Sequence, residues 1–169
     1  MIILELEESR WRLFFYGRRK LVSDSIDVIL KDAALKVVEK SGFFLVDFNL
    51  QRLSGKKLKA GVIVYSRDGI SLDDCAAVHK VLFPRLEMLA EDFDFYLEIA
   101  SPGITRTFKN REEYSIFIGN KIKVLTFDED DYIKGELIKS EDGVITLIDS
   151  SNKSIEINID NIRKGKLDY

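Results

Sequence analysis

The spacing of apolar residues predicts two amphipathic helices in the first hundred residues. In the first helix, apolar side chains recur every three to four positions from Ile26 to Val38, and Gly42 stands where a glycine commonly ends a helix. The second helix is expected to start after Ser71, which is followed three residues later by an acid in the pattern of a capping box. Pro84 is expected to end this helix or to begin a second, short one, because proline lacks the N–H that a helix interior uses.

Alternating apolar and polar residues predict three strands beside these helices. The strands cover residues 43–49, 58–65 and 95–100. A polar loop joins the first two, which favours an antiparallel hairpin with Lys56 and Lys57 at its tip. The resulting order is α-β-β-α-β. We therefore expect a two-layer α+β domain, in which both helices cover one face of a three-stranded sheet.

The pattern after Gly119 is different, since it consists of short alternating runs separated by turns. The predicted strands cover residues 121–127, 132–139, 144–149 and 153–158. The pair Asp142-Gly143 is typical of a tight hairpin turn. Several short strands at close and even spacing predict a small β-barrel, which removes open sheet edges by closing on itself.

A sharp break in the chain separates these two patterns. The last strand of the first half ends at Ser101-Pro102-Gly103, where Pro102 fixes φ and Gly103 allows the positive φ that many tight turns need. Arg106 and Lys109 follow, on a segment whose path the turn restricts. We therefore divide the chain into an N-terminal extension at 1–23, an α+β domain at 24–100, a linker at 101–109 and a barrel domain at 110–169.

Residues 1–23 have no clear pattern. They place a cluster of aromatic residues between three acids and a basic run. A signal peptide would put its positive charge first and follow it with a longer apolar core. Three alternatives are open for this segment: a flexible, disordered extension, an aromatic-basic segment that docks on RNA, and a start codon assigned too far upstream.

Composition indicates an ordinary globular protein. Hydrophobic residues make up 46% and charged residues 33% of the 169 positions. The net charge is −3, and neither half of the chain has an excess of basic residues. Any nucleic-acid contact must therefore use a local patch of positive charge. The single cysteine excludes an intramolecular disulfide and fits a reducing compartment such as the cytoplasm. No apolar run approaches the roughly 18 residues that would indicate a membrane span.

The strongest candidate for enzymatic chemistry is Cys75 with His79, four residues apart in the second predicted helix. A base at this spacing can lower the pKa of a thiol, and the two side chains would supply half of a metal site. Both residues fall on the apolar face, however, and the sequence holds no second Cys or His. Nucleotide-binding and metalloprotease motifs are absent from the sequence. We therefore expect no catalytic residue, no metal site, no cofactor and no enzymatic activity.

Six dispersed cations are candidate contacts to phosphate groups. They are Lys56 and Lys57 on the hairpin, Arg106 and Lys109 in the linker, and Lys121 and Lys123 on the first barrel strand. The alternative for each single lysine is an ordinary surface residue that contacts only solvent. Arg106 has two open roles: it contacts a partner, or it holds the two domains together by pairing with Glu98 or a backbone carbonyl. Replacing it by alanine is expected to weaken partner binding without unfolding either domain.

Three segments carry motifs in the order and spacing of one known family. The first is Leu97-Glu98-Ile99-Ala100-Ser101-Pro102-Gly103 with Thr105-Arg106, which is similar to LEVSSPGxxR. The others are Gly69-Ile70-Ser71-Leu72-Asp73-Asp74-Cys75 before the second helix and Phe117-Ile118-Gly119-Asn120-Lys121-Ile122-Lys123-Val124 at the start of the barrel. Together they resemble the bacterial ribosome maturation factor RimP, from about Ser25 to Leu167. One departure is Arg106-Thr107-Phe108, where the family usually has Arg-Pro-Leu, so that this linker lacks a proline.

The resemblance implies a non-enzymatic factor that binds the immature small ribosomal subunit and assists its assembly in the cytoplasm. It implies an SH3/Sm-like fold for the barrel, a monomer, and two partners, rRNA and a basic ribosomal protein near the decoding centre. The signature adds Glu98, Ser101, Pro102, Gly103 and Thr105 to the six cations as candidate ribosome or domain-interface contacts. The alternatives are a general RNA-binding module without assembly specificity and a thiol-dependent enzyme centred on Cys75.

Overall fold

A computed structural model describes residues 24–169 of the chain. The predictions made above for residues 1–23 lie outside the described residues. The elements of the first half are α1 (Asp24–Lys40), β1 (Phe44–Leu53), β2 (Lys57–Tyr65), α2 (Leu72–Leu89) and β3 (Asp94–Ala100). They form a three-stranded sheet of order β1-β2-β3, in which β1 and β2 are antiparallel and β3 runs parallel to β2. The overall class is therefore mixed α+β.

One hydrophobic core joins the two helices to this sheet. Leu30, Ala34 and Val38 of α1 are completely buried at helical spacing, as the apolar pattern predicted. They pack in one cluster with Leu82 of α2 and Val62 of β2. The helices contact each other and the sheet, so that the apolar stripes of both are covered from one side.

Helix α2 begins as predicted but does not end as predicted. The Ser71 Oγ accepts a hydrogen bond from the Asp74 N–H at 3.1 Å, and Ser71 N–H donates to the Asp74 carboxylate at 2.8 Å, which completes the capping box. Pro84 lies inside the helix instead of ending it, which corrects the prediction. Its ring is on the solvent-exposed side, while Leu82 and Leu86 beside it are buried. Pro84 has no N–H to donate to the helix backbone. Burial of the opposite helix face keeps the chain helical although this one hydrogen bond is missing.

The second half consists of one short helix and five strands. They are α3 (Glu112–Ile116), β4 (Lys121–Thr126), β5 (Ile133–Glu141), β6 (Val144–Ile148), β7 (Ser154–Asn158) and β8 (Ile162–Leu167), with a single 3-10 turn at Ile159–Asn161. Four of the strands occupy the predicted positions. The sequence interpretation missed β8, because its core contains Arg163, Lys164 and Lys166 and lacks a clear apolar alternation.

All neighbouring strands of the second sheet are antiparallel, in the order β7-β6-β5-β4-β8. Within residues 24–169, β7 and β8 are the edges of this sheet, and no ladder joins them. The closed barrel therefore stays a prediction, while the sheet itself is observed. None of the helices in this part of the chain combines the length and apolar character needed to cross a membrane.

The core of the second half includes residues of the first sheet. Phe117, which follows α3, is fully buried among the apolar side chains of the second sheet. Its ring lies between Phe108 of the linker, at 5.2 Å between centroids, and Tyr65 at the end of β2, at 4.8 Å. Val46 of β1 belongs to the same cluster. The two sheets are thus in direct apolar contact through the ends of β1 and β2.

Candidate functional site

The segment that connects the two sheets forms a tight turn after β3. The Arg106 N–H donates to the Gly103 carbonyl at 2.9 Å and closes the turn. Gly103 does not adopt the positive φ that the sequence allowed, and its α-carbon faces open space. Ser101 and Thr105 are exposed, whereas Pro102 is half-buried. The turn directs the Arg106 side chain inward and leaves Ser101, Gly103 and Thr105 at the surface.

Arg106 is buried in an ion pair with Glu113, the second residue of α3. Its Nε donates to Glu113 Oε2 at 2.7 Å and its Nη2 to Glu113 Oε1 at 3.1 Å, the two-pronged geometry that favours Arg. The side chains of Arg106 and Glu113 are 7% and 1% exposed. The expected partner, Glu98, pairs instead with Lys59 at 2.6 Å on the neighbouring strand. Arg106 therefore presents little surface to a partner, and we expect its removal to act first on stability.

Asp47 of β1 links this pair to the first sheet. Its carboxylate lies 3.5 Å from Arg106 Nη2 and accepts a hydrogen bond from Lys109 Nζ at 2.5 Å. The Lys109 N–H also donates to Glu113 at 3.0 Å. Cations and acids alternate across the junction, so that each buried charge faces an opposite one. We call Asp47, Arg106, Lys109 and Glu113 the junction cluster.

The charge state of the junction cluster follows from this pairing. Burial alone would lower the pKa of Arg106, but the hydrogen bond and the charge of Glu113, followed by Asp47, raise it. Partial burial would raise the pKa of Asp47, but Lys109 and then Arg106 hold it below its usual range. Both groups are therefore ionised at neutral pH, and the cluster fixes the linker against β1.

A second set of polar contacts between the sheets was not predicted. The Asn120 side-chain amide donates to the Tyr65 hydroxyl at 2.7 Å, and the Tyr169 hydroxyl donates to the Asn120 side-chain oxygen at 2.8 Å. Asn120 also donates to the Phe117 carbonyl at 3.1 Å. These residues are far apart in the sequence, and no local sequence pattern predicts a contact between them. The contacts reinforce the apolar contact of Tyr65 with Phe117.

The register of the second sheet gathers lysines that the sequence shows as dispersed. Lys123 of β4 is paired with Lys134 of β5 on one side and with Lys166 of β8 on the other. These three residues, which we call the lysine row, lie on three adjacent strands and extend across the sheet. Lys121 is exposed two residues before Lys123 on the same face. Asp168 pairs with Lys123 at 2.5 Å and with Lys134 at 3.6 Å.

The remaining predicted cations lie at the tip of the β1–β2 hairpin. Lys56 occupies a turn position with φ of 60°, and Lys57 lies 3.8 Å from Asp94 of β3. The Lys57 ammonium is also 5.8 Å from the centre of the Tyr96 ring. These contacts tie the tip to β3, and they do not bring it together with Lys121 and Lys123.

The Cys75 and His79 pair is arranged for packing. Partial burial, followed by the charge of Asp74, raises the pKa of the Cys75 thiol, which keeps it protonated at neutral pH. The His79 ring stacks on Phe83 at 5.5 Å between centroids. Among the described residues, no three His, Cys, Asp or Glu side chains are close enough to hold a metal ion. Nothing in this geometry activates Cys75 as a nucleophile.

Comparisons with known proteins agree with the motifs. The RimP N-terminal domain family model matches residues 34–105. The ribosome maturation factor RimP of Borrelia hermsii (strain HS1 / DAH) is 30% identical over 132 residues, which cover 78% of this chain and 88% of the relative. The protein of the same name from Borrelia recurrentis (strain A1) is 29% identical over 149 residues, which cover 86% and 97%. With a matching domain model and relatives that align over most of both chains, this protein belongs to the RimP family of ribosome maturation factors.

Proposed function

We propose that this protein is a non-enzymatic ribosome maturation factor that binds the immature small ribosomal subunit and assists its assembly. The observation that carries the proposal is the match, over most of both chains, to relatives named as ribosome maturation factors. The geometry agrees with a binding role. Among the described residues, the buried charges of Arg106 and Glu113 pair with each other, while Lys123 and Lys166 lie side by side on the second sheet, where they can contact a partner. The protein acts in the cytoplasm as a monomer, and its partners are rRNA and a basic ribosomal protein near the decoding centre.

We propose two domains joined by a fixed linker. The α+β domain covers residues 24–100, the linker 101–109, and an SH3/Sm-like barrel domain 110–169. Support comes from the two separate sheets and from the junction cluster, which lies between them. A factor that contacts rRNA and a protein together needs its two surfaces at a defined angle. A buried, paired Arg106 holds that angle better than an exposed one.

The lysine row is the proposed contact to rRNA. Lys134, Lys123 and Lys166 lie side by side at the strand spacing of about 4.8 Å, with exposed Lys121 beside them. Asp168 neutralises part of this charge, and the hydrogen bond from Lys123 holds its pKa below its usual range. The net charge of this face remains positive in a protein whose overall charge is −3. Such a local patch binds phosphates without attracting nucleic acid to the whole surface.

A general RNA-binding module is the alternative, and the acidic overall charge disfavours it. General binders rely on a broad positive surface and lose affinity steeply with salt. Here strand pairing gathers lysines on one face of one sheet, while the overall charge is negative. A basic ribosomal protein, by contrast, would be attracted by the acidic remainder of the surface, because complementary charge speeds and orients encounter.

Complementation tests the proposed function. Cells that lack this protein should accumulate free subunits at the expense of joined ribosomes, and the wild-type gene should restore the profile. The Lys121→Ala/Lys166→Ala variant should restore it poorly, since both side chains lie on the lysine-row face without an ion pair among residues 24–169. The matched control, Lys80→Ala/Lys153→Ala, removes two exposed lysines elsewhere and should restore it fully. A normal profile in cells lacking the protein would contradict the maturation role.

A further inference from the structure

We infer that a cavity beside β8 is a phosphate-binding site for one nucleotide unit of an RNA strand; this inference rests on the proposed function and names a site for it. The cavity has a volume of about 320 Å³ and lies between the linker with the start of α3 and the turn that leads into β8. Its charged lining residues are Lys109, Arg111, Asp160, Arg163 and Lys164. Its volume falls in the range of small-molecule sites, which begins near 300 Å³.

The charge of the cavity is strongly positive. Four of its charged residues are cations, and one is an acid. Asp160 is engaged by Arg111, and Lys109 is engaged by Asp47. Arg163 and Lys164 are exposed and have no ion-pair partner within residues 24–169. Both cations are therefore free to pair with an outside anion, and the planar guanidinium of Arg163 matches phosphate geometry.

The Tyr114 hydroxyl provides the second observation. Tyr114 is only 4% exposed, and its hydroxyl has no hydrogen-bond partner in the described part of the chain. The hydroxyl lies over Gly165, where an added Cβ would be 2.3 Å from it, and both residues line the cavity. Phe108 holds the Tyr114 ring edge-to-face at 4.9 Å. No protein group of residues 24–169 pairs with this hydroxyl, so it is free to donate to a ligand oxygen at the cavity wall.

The Tyr114 hydroxyl keeps its proton at neutral pH. Burial, followed by the nearby charge of Glu113, raises the pKa of Tyr114 to about 12. The group is therefore a hydrogen-bond donor, like the lining Arg and Lys side chains. A cavity whose free polar groups are donors selects a ligand rich in acceptors, which a phosphodiester is and a basic protein segment is not.

Lys164, which lines the cavity, lies on the same strand as the end of the lysine row. Lys164 and Lys166 are two residues apart on β8 and lie on the same face of the strand. Lys166 is the end of the lysine row and is paired with Lys123. An RNA strand with one phosphate in the cavity would therefore meet further cations along the sheet. These neighbouring cations favour a nucleic-acid strand over an isolated anion.

The test measures binding of a fluorescein-labelled, mixed-sequence RNA of about ten nucleotides to the full-length protein by fluorescence anisotropy at several KCl concentrations. Arg163→Ala/Lys164→Ala should weaken binding about tenfold or more at low salt and make the plot of log affinity against log salt shallower by about 1.4, or about 0.7 for each lost contact. Tyr114→Phe should weaken binding about fivefold without changing that slope, because it removes a neutral hydrogen bond. Lys31→Ala/Lys40→Ala on α1 is the matched control and should bind as the wild type does.

Circular dichroism confirms that each variant is folded. Arg163 and Lys164 are at exposed positions, and Tyr114→Phe keeps the buried ring, so both variants are expected to fold. Wild-type affinity and slope in the double variant, equal loss in the control, or no RNA binding by the wild type would overturn the inference. If the double variant bound RNA normally while the wild type still bound immature small subunits, the cavity would be excluded and the proposed function would stand. If the wild type bound no small subunit, the proposed function would fail by itself.

Discussion

Replacing Arg106 by alanine is expected to lower the free energy of unfolding by about 3 kcal/mol or more. The change leaves the Glu113 carboxylate, whose side chain is 1% exposed, with the Lys109 N–H as its remaining hydrogen-bond donor. Removing one partner of a buried ion pair typically costs about 3–5 kcal/mol, because the other charge stays buried without compensation. The retained bond from Lys109 and the intact Lys109–Asp47 pair place the expected loss at the lower end of this range.

A second substitution separates this explanation from a simple loss of packing. Glu113→Gln removes the buried negative charge but keeps an oxygen that accepts the bond from Lys109. In the wild-type background it should destabilise the protein, because Arg106 loses its closest anion. In the Arg106→Ala background it should restore about 1–2 kcal/mol, because no unpaired charge remains in the interior. The sign of the effect therefore reverses with the background.

Urea unfolding followed by far-ultraviolet circular dichroism at pH 7 measures these changes. Thermal unfolding gives an independent check, since each kcal/mol lowers the midpoint by roughly 2–4 °C in a chain of this size. Lys59→Ala, which breaks the exposed Lys59–Glu98 pair, is the control and should cost less than about 1 kcal/mol. A loss below 1 kcal/mol for Arg106→Ala, or additive effects of the two substitutions, would refute the account of the junction cluster.

Three further predictions concern other parts of the fold. Gly165→Ala should destabilise the protein by about 1–3 kcal/mol, because its Cβ would be 2.3 Å from the Tyr114 hydroxyl. Adding Tyr114→Phe should recover part of this loss in thermal unfolding. An unchanged unfolding midpoint for Gly165→Ala would contradict the contact. Ser71→Ala should cost about 1 kcal/mol in urea unfolding by removing the capping box of α2, and full stability would show that the cap is dispensable. Partial burial favours the neutral acid, but Lys109 and Arg106 lower the folded-state pKa of Asp47. The contribution of Asp47 to the free energy of unfolding is therefore fully present above the unfolded pKa of about 3.9 and is lost as pH falls through the folded pKa. The wild type should therefore lose more stability than Asp47→Asn on acidification from pH 5 to about pH 2, and parallel losses would exclude a stabilising role for this carboxylate.

The parts of the fold that sequence predicted well depend on local rules. The helical spacing of α1 and the capping box of α2 each depend on residues that are close together in the sequence. Pro84 shows the limit of such a rule, because burial of the opposite helix face outweighs one missing hydrogen bond. Strand β8 was missed for a related reason. Its lysines carry no apolar alternation, and its place in the sheet is set by pairing with β4.

The site was less accessible to sequence reasoning because its contacts are tertiary. The turn before Arg106 singled out that residue, but neither of its partners was identified. Glu113 reads as an ordinary acid at a helix start, and only the fold shows that it is buried. Lys123 was named as one dispersed cation, whereas strand register makes it the centre of the lysine row. An unpaired hydroxyl such as that of Tyr114 has no signal in sequence at all.

Co-sedimentation with purified ribosomal particles tests the central claim most directly. The protein would be mixed at moderate salt with immature small subunits, mature small subunits, large subunits and joined ribosomes from the same cells, and each mixture separated on a sucrose gradient. The maturation role predicts enrichment on immature small subunits and loss from joined ribosomes. Equal binding to every particle that disappears with salt would contradict it and favour a general RNA-binding module.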